Sequence, residues 1–219
     1  MRDLIAAFSA AARDQLKAAG WRKRTGDIFT YDLGNGYLAW LGLNRSTKRH
    51  PLWVNPVMGV RCEPLERLLD ELLEDRSRGI GCTVATPIGY LTPANSSLKL
   101  EVETVEDAEA AAERLRTLVE AHGMPFARGL ADDERFEIAL RDPRLVGNVG
   151  YSPFRHVAFL FLRGRREEAH QVIERDLAEN EANDGALEYL YRAFVQQLVT
   201  RFEDSGFSMK EKREGTPAR

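Results

Sequence analysis

The chain has 219 residues, 31 basic and 34 acidic side chains, a net charge of −3 and 43% apolar content. That is enough apolar material for a real core, and the near-balanced charge argues against wholesale nucleic-acid coating. Two cysteines, Cys62 and Cys82, are too few for a disulfide framework, and each lies in an apolar run where it reads as a small hydrophobe of a reducing, cytoplasmic compartment.

The charge is unevenly spread. Residues 1–60 hold nine basic and four acidic side chains, a net of +5, and no glutamate. Residues 61–219 hold the other 22 basic and 30 acidic groups, a net of −8. Such a partition marks a charged contact surface, either within the molecule or toward a partner.

Leu4, Ile5, Phe8, Ala12, Leu16 and Ala19 recur at helical spacing, so the first segment is an amphipathic helix that stops at Gly20. Asp3 and the continuation past Arg13 distinguish it from a secretion signal. Residues 27–33 and 37–43 flank Gly34-Asn35-Gly36 and read as a β-hairpin. A third strand covers about 52–60, and Pro56 predicts that it lies at an edge or carries a bulge.

Pro64 opens a helix with Leu65, Leu68, Leu69, Leu72 and Leu73 on one face. Residues 80–91 form a strand region broken by Pro87, and Leu98, Leu100 and Val102 alternate with charged residues as a half-buried strand. Thr104, with Asp107 three residues on, predicts a capped helix carrying Val105, Ala108, Ala112, Leu115 and Val119 and ending at Gly123. A short helix follows over 132–140, and the glycine- and proline-containing stretch 141–154 reads as a linker. Helical patterns then cover 154–162, 165–179 and 186–202, before a polar tail, 204–219, expected to be disordered. No run approaches the length needed to span a membrane.

Residues 16–24, LKAAGWRKR, close a helix on Gly-aromatic-basic-basic and lead into a strand, and 43–60 run from LNRS into WVNPVMGV. Over roughly the first 75 residues this helix, Gly-aromatic turn and β-meander resembles the bacterial domain of unknown function 4304 type. The resemblance implies a small cytosolic bacterial protein of a kind found beside toxins or defence systems. It carries over no catalytic residue. Residues 158–169, AFLFLRGRREEA, are similar to the middle of one tetratricopeptide repeat, but no second copy follows at that period, so a helical hairpin is expected.

Chemical motifs are sparse. Glu167 and His170 make a single Glu-x-x-His with Glu174 beyond it, where a di-iron bundle needs two such motifs and further glutamates. Ser152, in Gly-Tyr-Ser-Pro-Phe, lacks the second glycine of a nucleophile elbow. No phosphate loop or zinc-type cysteine cluster is present, and no catalytic residue, metal or cofactor is assigned.

The candidate binding residues are Arg22, Lys23, Arg24, Arg45, Lys48, Arg49 and Trp53. A hairpin turning at 34–36 pairs positions whose numbers sum to about 70, which places 24 beside about 46 and 22 beside about 48. These basic groups would then converge at the hairpin's open end near Trp21 and His50, suited to an anionic partner. The competing reading is that they pair internally with the acidic helix near 66–75.

The sequence therefore predicts an α+β fold: an N-terminal helix on an antiparallel meander of about five strands, helices on one face, and a C-terminal helical hairpin. It divides into an α+β domain, 1–142, a helical appendage packed on it, 143–203, and a tail, 204–219. The leading function is a non-enzymatic protein-binding module of a bacterial cytosol, of the immunity or defence-accessory kind, with an acidic protein partner and no membrane. The alternatives are a nucleic-acid-binding protein using the basic hairpin end and an unrecognised enzyme.

Overall fold

The computed structural model describes residues 1–46, 48, 50–73, 80–145, 152–180 and 186–204. Arg49, the greater part of the expected linker and the 205–219 tail lie outside these residues.

Helix α1 (Arg2–Ala18) buries Leu4, Phe8, Ala11, Ala12 and Leu16, the face set by the apolar spacing. Gly20, at φ 87°, ends it, and the Trp21 N–H returns to the Leu16 carbonyl at 3.0 Å. Two short basic residues, β1 (Arg22–Lys23), follow, then β2 (Ile28–Gly34) and β3 (Tyr37–Arg45). The hairpin register is the expected one: Ile28 faces Gly42, Thr30 faces Trp40 and Asp32 faces Leu38. Asn35 and Gly36 take positive φ at the turn.

β4 (Leu52–Cys62) corrects the expectation of an edge strand or bulge at Pro56. It is central, pairing β3 on one side and both β5 (Val84–Pro87) and β6 (Leu100–Val102) on the other. Pro56 faces Leu43, whose N–H is donated to the carbonyl of Asp27, just before β2. By antiparallel alternation the Pro56 nitrogen then points away from β3. It falls between the β6 pairing at 52–54 and the β5 pairing at 57–60, where no ladder bond is required. Residues 88–91, expected to continue the strand, form a 3₁₀ turn instead.

Helix α2 (Glu63–Leu72) buries Leu65, Leu68 and Leu69, with Pro64 in its first turn. Helix α3 (Asp107–Leu118) starts later than expected. The Asp107 carboxylate accepts both the N–H and the hydroxyl of Thr104, so that hydroxyl is not a cap for the helix, and Val105 precedes it, exposed. Nor does the helix stop at Gly123. That residue keeps right-handed φ, and the chain passes through a π turn (Val119–Gly123) into α4 (Met124–Leu130). A Cβ at Gly123 would sit 3.1 Å from Met58 of β4, so the glycine lets the helix approach the sheet.

Asp132 caps α5 (Asp133–Arg141) by accepting the Arg135 N–H. The chain ends in α6 (Ser152–Leu162), α7 (Arg166–Asn180) and α8 (Ala186–Asp204). Gly164, at φ 71°, makes the turn between α6 and α7. Helix α6 buries six apolar residues from Phe154 to Phe161 and also Arg155 and His156, so it lies inside the helical layer. One continuous core runs from Leu4 in α1 to Leu198 in α8. Phe136 of α5 contacts Tyr37 of β3 and Phe159 of α6, joining sheet and C-terminal helices. No described helix is long and apolar enough to cross a membrane.

Candidate functional site

Strand alternation sorts the sheet into two faces. The even positions of β4 and the odd positions of β3, including Leu41, Leu43, Val54, Met58 and Val60, are buried against the helices. The other face carries Ile28, Leu38, Trp40, Asn44, Trp53, Asn55 and Val57, each at least partly exposed. This half-open face is the part of the sheet that the helices leave uncovered.

Its most organised feature is Trp40. A Cβ at Gly42 would sit 2.3 Å from the indole, so the ring lies over the glycine two residues along its own strand. The indole N–H is donated to the Ile80 carbonyl at 2.8 Å, which fixes the ring's orientation. With Asp27, Ile28, Gly42, Asn44 and Arg45 it lines a shallow depression of about 600 Å³. Sequence reasoning overlooked Trp40, although Trp-x-Gly in a strand is a readable signal: the two residues share a face and one has no side chain.

Residues 80–83 border this face. Ile80, Gly81 and Cys82 present consecutive carbonyls to Trp40, Arg61 and Arg155, and the Thr83 N–H goes to Val60. Burial pushes the thiols of Cys62 and Cys82 up to about 11, which keeps both protonated and unreactive.

The basic candidates do not converge as expected. Gly26, at φ 57°, turns the chain back so that Arg22 pairs with Thr30 and Lys23 with Phe29 along the outer edge of β2. Arg22 and Arg24 are therefore not beside positions 48 and 46. Arg22, Lys23 and Arg24 are exposed, and Arg24 donates to Thr30 at 2.9 Å. Arg45 turns to the helix side, bonding Ser9 of α1 at 2.6 Å and Asp27 at 2.5 Å. Lys48 is exposed in the β3–β4 connection. Trp53 lies on the half-open face with Lys99 4.6 Å from its ring centroid. It stands six residues along β4 from Gly59, the partner of Trp40, roughly 20 Å away.

Among the described residues, no ion pair joins Arg22, Lys23, Arg24, Arg45 or Lys48 to helix α2. Three acids of α2 have other partners: Glu63 meets Arg61, Glu66 meets Arg155 and Glu71 meets Arg201. Among the described residues, Arg22, Lys23 and Arg24 have no carboxylate partner.

Two polar networks tie the C-terminal helices to α5 and the sheet. Arg163 and Asp133 meet the Tyr37 hydroxyl, and burial together with Asp133 raises the tyrosine's pKa. His156 bonds Glu137, which Arg165 also holds. Burial drives the His156 pKa below 6.5, against the pull of Glu137. Burial raises that of Glu137, but the bonds from Arg165 and His156 outweigh it and hold it below 4.5. Both groups bind protons less readily folded than unfolded. Stability is thus complete above pH 6.5, falls as His156 is forced to charge below that value, and falls again as Glu137 protonates below 4.5. The melting temperature is expected to drop between pH 7 and 5.5, and His156→Gln to flatten that first step. An unchanged slope in the variant would remove His156 from the account.

Among the described residues, no group of three or more His, Cys, Asp or Glu side chains is placed to hold a metal ion. Glu167, His170 and Glu174 are exposed on α7, with His170 edge-on to Phe161. The fold and this surface define a helix-backed antiparallel sheet with a half-open aromatic face and a basic edge strand. Comparison with family models, curated proteins and solved structures finds no match to the chain.

Proposed function

We propose that the chain is a non-enzymatic binding module that captures an acidic protein partner through the half-open face and basic edge of its sheet. The observation that carries this reading is the set of exposed, carboxylate-free cations, Arg22, Lys23 and Arg24, on the strand that borders Trp40's face. Free charge at a rim governs approach and partner choice, and flat apolar groups beside it supply contact area. The likeness of the first 75 residues to the bacterial domain of unknown function 4304 type supports a bacterial cytosolic setting of the immunity or defence-accessory kind.

The test places a photo-crosslinker at Lys23 and, as a control, at the exposed Glu174 of α7. One acidic protein is expected to be captured from position 23 and not from 174. Changing Arg22, Lys23 and Arg24 together to glutamate is expected to abolish capture and leave the melting temperature unchanged, because exposed charges contribute only about 0–1 kcal/mol each. Unaltered capture by the triple variant would sink the reading. The second reading, nucleic-acid binding, is favoured by one observation: the indole of Trp40 held in a fixed orientation on a sheet face, a stacking geometry. Capture of nucleic acid that weakens steeply with salt would establish it instead.

A further inference from the structure

The sheet register sets out the half-open face in rows. One row reads Arg22, Thr30, Trp40, Gly59, Ala85 across β1 to β5. Antiparallel partners share a face, so these five residues form a lane across the strands. Gly59 has no side chain, and Ala85 is small. Trp40 is thus the one large apolar group in the lane, with Arg22 two strands away, about 10 Å at the usual strand spacing, and between them Thr30 is buried and bonded by Arg24.

Gly42 lies beneath the indole, and the bond to Ile80 stops the ring from turning. The ring is therefore pre-organised, and a planar group that stacks on it orders nothing further on this side. Arg22 has no carboxylate partner among the described residues.

Resting on the binding-module reading, we infer that Trp40 and Arg22 form a two-point docking site for an extended acidic segment of the partner protein. The segment places a planar side chain beside Trp40 and a carboxylate on Arg22. In a segment of polyproline II form, side chains three positions apart lie on one face about 9 Å apart, which matches the lane. A carboxylate near Arg22 favours a peptide over a phosphate chain. Asp32 is exposed one row from Arg22, whereas Asp27 is already held by Arg45. A peptide can set a neutral residue against Asp32, whereas every nucleotide brings a charge.

The experiment uses the whole purified chain and short capped peptides carrying one phenylalanine and one glutamate. Binding is followed by NMR at the Trp40 indole N–H and the Gly42 and Arg22 amides. The peptide with the two residues three positions apart is expected to shift these signals saturably. A peptide with them adjacent, or with the phenylalanine replaced by glycine, is expected to bind roughly tenfold more weakly. Arg22→Ala, a surface change, and Trp40→Ala are each expected to lose roughly tenfold in affinity, with circular dichroism confirming the fold.

Spacing-independent binding, shifts confined to other elements, or full affinity in Arg22→Ala would overturn the site. An oligothymidylate that shifts the same signals more strongly than any peptide would overturn it in favour of nucleic acid. If the crosslink at position 23 persists while Trp40→Ala and Arg22→Ala bind normally, the two-point site fails and the binding module stands. If that crosslink also fails, both fall.

Discussion

Replacing Glu66 by alanine is expected to cost about 3–5 kcal/mol of folding stability. Glu66 is 2% exposed and Arg155 4%, and they meet at 3.1 Å between α2 and α6. Arg155 cannot shed its charge when the carboxylate goes. Its Nη2 has only a long 3.4 Å bond to the Cys82 carbonyl, and Nη1 is buried without a hydrogen-bond partner among the described residues. The guanidinium would be left charged in a dry site. The pair itself need not be net stabilising, since desolvation offsets most of its attraction. Glu66→Leu with Arg155→Met should therefore recover most of the loss. Denaturant unfolding of the three variants measures this. A cost below about 1 kcal/mol for Glu66→Ala would show that water or another side chain takes over the charge.

Phe136→Ala is the second large effect, about 3–5 kcal/mol from lost burial and the cavity left behind. Phe136 is fully buried, its ring 5.0 Å from Tyr37 and 5.5 Å from Phe159. It joins β3 to α6, so the loss should lower the melting of the whole molecule in one transition. Calorimetry decides between outcomes. A variant that melts in two steps, with the C-terminal helices leaving first, would show that residues 143–203 fold as a separate unit.

The helices and the hairpin were legible in the sequence because their signals are local. The Leu4 to Leu16 spacing and the Gly34-Asn35-Gly36 turn each act within a few residues, and each appears where its pattern put it. The α+β architecture follows from their order. Misreadings came where a local signal admitted a nonlocal answer. Pro56 forbids one ladder bond, and the central strand β4 accepts it because two partners share its outer side and leave a gap. Gly123 is an ordinary helix stop, yet the helix runs on because Met58 needs the room.

The same division governs the candidate site. By itself the sequence determined that the first 60 residues are basic, that aromatic residues lie among them, and that β2 and β3 pair in a stated register. Only the tertiary structure decided that Arg22 and Lys23 fold back on β2, that Arg45 is held by Ser9 and Asp27, and that Glu63, Glu66 and Glu71 of α2 meet Arg61, Arg155 and Arg201. Only there does Trp40, which the basic cluster did not include, become the organised group of the open face. The physical reason is that every strand edge offers the same donors and acceptors. Which edge a short basic strand joins, and which carboxylate a guanidinium meets, is settled by the packing of apolar faces far away in sequence.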